Sequence, residues 1–297
     1  MTPARQETQV LRLVRATVVL AIFYAILFRV PIPGTAGKTL QPRDLQRLQE
    51  RSAALRRAGK WQRAIEPALR LHTEYPENHI YIDNMAEIYS HLGRYREEAD
   101  MWELFLTRAP LPGEGCPQIG QAYEKQGKPK ETLDAFERCL ALDPADTDSI
   151  YYLAHTLERQ GLSERAAAMY ERGVALSPNY SDMQIGLARM RLRQDRASEA
   201  KQIAETVVKR SPENVDALLV LGLAWRSDGN RARARTYLER GSKLADRYAD
   251  FHIVLGGMAE QDNDINGAIR HYQKVTDIDR RNTSIALRLD ALKKARY

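Results

Sequence analysis

The side chains able to do chemistry are few. Six histidines (His72, His79, His91, His155, His252 and His271) and two cysteines (Cys116 and Cys139) are spread over 297 residues. No two histidines are four apart, the spacing at which one helix face grips a metal ion, so no metal site is expected. There is no P-loop, no dinucleotide fingerprint and no nucleophile elbow, so no catalytic residue, no cofactor and no enzyme activity is expected. The two cysteines lack the spacing of a zinc site. Acids do recur: Asp148, Asp182, Asp216 and Asp250 fall every 34 residues, with Glu114 before them. Such a ladder suits a cation or a basic peptide. An acid in the first turn of a helix also complements the helix dipole, and that plainer reading is adopted.

The interval of 34 runs through the chain. Prolines stand at Pro76, Pro110, Pro144, Pro178 and Pro212, and glycines at Gly59, Gly93, Gly127, Gly161 and Gly229. Asp195 and Asn263 fill the two gaps in the glycine series, and both residue types tolerate the left-handed turn that glycine makes after a helix. Ala, Leu, Arg and Glu dominate, and no period-two run of Val, Ile, Thr or Tyr predicts a sheet. At 43% hydrophobic and 28% charged, the composition is that of a folded protein. The fold class is all-α.

Numbering each unit from 1 to 34 with proline at place 32 puts unit starts at 45, 79, 113, 147, 181, 215 and 249. Place 8 is small (Ser52, Ala86, Gly120, Ala154, Ala188, Gly222, Gly256), and place 20 is Ala64, Ala166, Ala200, Ala234 and Ala268, with Glu98 and Thr132 as exceptions. Place 24 is bulky in Trp102, Phe136, Tyr170, Leu238 and Tyr272, but Ala68 and Ala204 are too small to fill it alone. This pattern resembles the tetratricopeptide repeat family over residues 45–282. The resemblance implies a right-handed α-solenoid of seven helix-turn-helix repeats, in which each pair buries its apolar face against the next. Residues 283–297 begin an eighth first helix with Leu289 at place 7. Asp290 at place 8 marks it as a capping helix. Arg51 and Ser52 make repeat one a solvated cap at the other end.

In this family the concave groove is lined by first-helix places 2, 5, 6, 9, 12 and 13. Chaperone adaptors carry Lys and Asn at places 5 and 9. No unit here does, so that role is not expected. Units four to seven present Tyr151, His155, Ile185, Arg189, Leu219, Leu223 and Ile253. The expectation is an apolar stripe bordered by Arg189, Arg193 and acids, suited to an extended or amphipathic segment of a protein partner. The Ile and Leu residues serve equally well as packing between neighbouring units. Cys116 and Cys139 sit at places 4 and 27 of unit three, near one end of an antiparallel pair. They admit either a disulfide or two small apolar fillers.

Residues 16–28 carry no charge and lie between Arg15 and Arg29; counted from Val10, the stretch reaches nineteen residues. A transmembrane anchor over residues 10–30 is the reading adopted, with a signal peptide cleaved after Ala36 and an interfacial or buried helix as alternatives. Residues 31–44 read as a linker. Arginines and lysines flank the span almost equally, and the exported (periplasmic) side is narrowly preferred for the repeats over the cytoplasm. The first 60 residues hold eleven basic and three acidic side chains, a net of +8, so the remaining 237 carry −2 of the total +6. Positive charge beside an apolar span suits lipid headgroups, and the acidic body excludes a nucleic-acid groove. The expected function is a membrane-anchored scaffold for a protein or peptide partner, with assembly of envelope, secretion or maturation machinery implied by the family. Self-association and an accessory role in an enzyme complex are the alternatives.

Overall fold

The computed structural model describes residues 40–108 and 115–295, which hold fifteen helices and no strand. The proposed anchor and most of the proposed linker lie outside the described residues, as do Pro110 and Glu114. Among the described residues no helix is long and apolar enough to cross a membrane.

The chain divides into two compact units after Pro76. The first contains α1 (Pro42–Arg57) and α2 (Trp61–Glu74). α1 begins inside the stretch read as linker, with Pro42 at the helix start, where its missing N–H costs nothing. Leu48, Ala64, Ala68 and Leu71 are buried in this pair. Ser52, expected to be solvated, is also buried, while Arg51 stays exposed and pairs with Glu66 at 3.5 Å.

The second unit holds α3 (His79–His91) and α4 (Tyr95–Arg108), α5 (Cys116–Lys125) and α6 (Pro129–Leu142), and α7 (Thr147–Arg159) and α8 (Ser163–Leu176). These are followed by α9 (Ser181–Arg193) and α10 (Ala197–Arg210), α11 (Val215–Ser227) and α12 (Arg231–Leu244), and α13 (Ala249–Gln261) and α14 (Ile265–Ile278). α15 (Thr283–Ala295) closes the described chain. From α7 to α14 each first helix starts at the start of its 34-residue unit. α5 is shorter and starts three residues late.

The turn between paired helices is left-handed at place 15, where Gly59, Gly93, Gly127, Gly161 and Gly229 have positive φ. Asp195 and Asn263 adopt φ 57° at the same place, as their position in the series predicts. Inside a pair, the small residue at place 8 faces the bulky one at place 24. A Cβ added to Gly120 would overlap the Phe136 ring, and Phe136, Tyr170 and Leu238 have no exposed surface. The exceptions at place 20 have local partners: buried Glu98 accepts from Lys125 Nζ at 2.9 Å, and the Thr132 hydroxyl donates to the Lys128 carbonyl at 2.8 Å. Between pairs, one apolar cluster joins Phe136 and Leu140 of α6 with Leu153 and Tyr170 of α7 and α8 and Met183 of α9. Leu289 and Leu292 of α15 cover Tyr272, and Asp290 is exposed.

Candidate functional site: a cleft across four first helices

α7, α9, α11 and α13, the first helices of repeats four to seven, share an open cavity of about 420 Å3. Its lining includes His155 and Glu158 from α7, Arg189 and Arg193 from α9, Leu219 from α11 and Asp250 from α13. Each side chain arrives there by the repeat. Places 9, 12 and 13 lie on one face of a first helix, so His155, Glu158 and Arg159 share it, as do Arg189 and Arg193 one repeat on.

Glu158 organises one flank. Arg189 grips it in two-pronged fashion, Nε and one terminal nitrogen donating to its two oxygens at 3.0 Å each. The Tyr170 hydroxyl donates to it at 2.9 Å, and Arg193 approaches at 3.3 Å. Burial opposes ionisation of Glu158, yet Arg189 and Tyr170 hold its carboxyl below the usual carboxylate range. Burial and the adjacent carboxylate push the Tyr170 hydroxyl far up. One carboxylate here meets two guanidinium groups, so the flank keeps surplus positive charge, carried by Arg193, whose side chain is 48% exposed. Arg159 stands beside it, paired with Glu124.

The opposite flank is acidic and aromatic. Asp148, Asp182, Asp216 and Asp250 occupy place 2 and are all exposed. None is ion-paired to a lysine or arginine of the described residues. Tyr248 donates to Asp216 at 2.9 Å, and burial together with this carboxylate pushes its hydroxyl up to about 12. Tyr180 is likewise pushed up to about 12, by burial and by the charges of Asp148 and Asp182. Tyr180 also stacks on Tyr151 at 5.6 Å between ring centres, and Tyr151 stacks on His155 at 6.1 Å. Burial lowers the His155 pKa below the ordinary imidazole value, with Arg189 adding to the effect and Glu158 opposing it.

The seven residues expected to line the groove separate. His155, Arg189 and Leu219 line the cavity, and Tyr151 stands beside it in the ring stack. Leu223 and Ile253 are half-buried outside its lining. Ile185 must be corrected: it is 2% exposed and belongs to the core, packed with Ala188, Ala204 and Val220. The apolar stripe is therefore short, and the cleft is chiefly polar. Cys116 and Cys139 are joined as a disulfide with Cα atoms 5.5 Å apart, and both are buried.

Two features escaped the sequence. Glu158 is an unremarkable acid until Tyr170, twelve residues later at place 24, is seen to bond it. The same spacing recurs in Glu260 and Tyr272, bonded at 2.6 Å. The histidine count missed a pair, because His252 and His271 lie nineteen apart on α13 and α14. Their Nδ1 atoms stand 3.2 Å apart. As with the cysteines, facing repeat places were the usable signal. No group of three or more His, Cys, Asp or Glu able to hold a metal ion occurs among the described residues.

Two tetratricopeptide repeat family models match the sequence, one over residues 123–190 and one over 185–240. No curated protein matches it. Among solved structures, a tetratricopeptide repeat protein from Parabacteroides merdae is similar with TM-score 0.67 and 14% identity, over 84% of this chain and 98% of that one. The C-terminal part of such a protein from Cytophaga hutchinsonii gives TM-score 0.58 and 14% identity, over 80% and 97%. The hetero-tetramer Cut9–Hcn1 of the APC/C gives TM-score 0.63 and 15% identity, over 81% of this chain and 48% of that one. At these identities the likeness concerns the fold. With the 34-residue period, the left-handed turns and the paired helices, it leads to one conclusion: the chain belongs to the tetratricopeptide repeat family.

Proposed function

We propose that this chain is a non-catalytic scaffold that holds an extended protein segment in the cleft of α7, α9, α11 and α13. Repeats of this family generally mediate protein–protein interactions. The observation that carries the reading is the cleft itself, open across four successive first helices and furnished with charged, aromatic and apolar side chains. Leu219→Asp should release the partner that co-purifies with the intact chain, while circular dichroism keeps its helical signal. Because Leu219 also packs against the Leu218–Phe251 cluster, Arg193→Glu with Asp250→Lys supplies a variant confined to partly exposed side chains. Partner retention by both variants at full helicity would refute the assignment.

Residues 16–28 complete the proposal as a membrane anchor, with the repeats on the exported side. The uncharged stretch between two arginines supports the anchor, and the Cys116–Cys139 disulfide suits an oxidising compartment. Thiol labelling of intact and permeabilised cells, with and without prior reduction, tests the orientation. Thiols that label only after reduction fit an exported array, whereas free thiols labelled only after permeabilisation place the repeats in the cytosol.

A further inference from the structure

Place 34, the residue before each first helix, is filled according to a rule with two exceptions among the described residues. Asn78, Asp146, Asn214 and Asn282 each accept a hydrogen bond from a backbone N–H in the first turn of the following helix. That cap is worth about 1 kcal/mol to a helix. Tyr180 and Tyr248 stand at the same place before α9 and α13, and neither provides a side-chain cap. Packing accounts for part of each ring, since Tyr248 meets Phe251 edge-on at 5.6 Å between centres. Packing does not account for their company. Tyr180 lies in the field of Asp148 and Asp182, and Tyr248 in that of Asp216 and Asp250. Two helices thus give up a cap and gain a tyrosine among unpaired carboxylates.

Tyrosine faces beside carboxylates attract a lysine or arginine side chain from two directions, through the ring quadrupole and through charge. The opposite flank carries the surplus guanidinium charge of Arg193, with the Arg159–Glu124 ion pair beside it. Asp182 and Arg193 sit eleven residues apart on one helix, so the flanks are separated by about 16 Å along its axis. An extended backbone laid across the first helices fits between them. Its successive side chains point to opposite flanks.

Resting on the reading of the cleft as a peptide groove, we infer that the partner is an extended segment of mixed charge. Its lysines or arginines face Tyr180, Tyr248 and the place-2 aspartates, and its aspartates or glutamates face Arg193. In its sequence the two signs stand at odd separations. A segment of one sign throughout leaves one flank unmatched, and an uncharged segment leaves both.

Selection of a random peptide library on the intact chain tests this without knowledge of the partner. The expected winners carry basic and acidic residues at odd separations. Tyr180→Asn with Tyr248→Asn restores the caps and so protects the fold. This variant should weaken the winners roughly tenfold, the effect of losing about 1.4 kcal/mol, as should Asp216→Asn with Asp250→Asn. Arg193→Gln should relax the acidic preference alone. Winners that are uncharged or of one sign, or winners indifferent to the tyrosine and aspartate variants, overturn the inference but leave the groove standing. If no winner depends on Leu219 or on any charged group of the cleft, the groove reading fails first.

Discussion

Gly120 and Phe136 illustrate how a repeat is specified one contact at a time. The ring fills the space a glycine side chain leaves, so Gly120→Ala should cost about 1–3 kcal/mol in urea unfolding, the usual penalty of overpacking. Phe136→Leu added to the same chain should recover part of that loss. The His252–His271 pair makes a prediction of opposite character. With Nδ1 atoms 3.2 Å apart, at most one of these two nitrogens holds a proton while they remain hydrogen-bonded. Burial lowers both pKa values. Lys274 adds to the effect on His252, and His252, Arg270 and Arg235 add to that on His271, while Asp246 and Asp264 act in the other direction. A histidine lowered in the folded state binds its proton more readily when unfolded. Stability is therefore full above the ordinary histidine range near 6.5 and is lost as pH falls below it towards the folded values. Melting curves between pH 7.5 and 5.5 should show this slope, and His271→Gln should reduce it, the remainder coming from His155 and His72, which burial also lowers. An unchanged slope would mean that other groups carry the acid sensitivity.

At the level of helices, the first and second members of a pair are held by different means in different repeats. Repeat four uses Glu158, bonded to Tyr170 in its own pair and to Arg189 in the next. Glu158→Gln leaves two arginines facing a neutral amide and should destabilise the chain by about 2 kcal/mol or more, whereas Tyr170→Phe should cost about 1 kcal/mol. Repeat three uses the Cys116–Cys139 disulfide, which closes a loop of 23 residues. Its reduction should lower stability by about 3 kcal/mol, read as a drop in melting temperature on adding reductant. Sequence made much of this legible because place 8, place 15 and place 24 impose requirements on size or backbone conformation, and few residue types meet them. Asp195 and Asn263 were readable as turns for that reason. Ile185 was misread as groove lining because places 5 and 6 face both the concave surface and the neighbouring repeat. Which side wins depends on how closely successive first helices approach, and the spacing of apolar residues does not encode that distance.

Across the repeats as a whole, the proposed recognition surface is one that no single repeat contains. The cleft draws on four first helices, one flank built from the last turns of α7 and α9 and the other from the first turns of α11 and α13 and Tyr248, with Tyr180 beside it in the stack on Tyr151 and His155. The place-2 aspartates alone read as dipole partners, and nothing in the sequence singles out Tyr180 and Tyr248. Their meaning comes from being side by side, which requires the stacked array. The most direct measurement is site-specific photo-crosslinking in living cells with the intact chain, the probe placed in turn at Asp182, Arg193, Asp250 and, on the exposed face of α12, Glu239. One protein captured through a short contiguous segment from the three cleft positions, and not from Glu239, is the predicted result. Capture of the same protein from Glu239 as readily as from Asp250, or of nothing from the cleft, would contradict it.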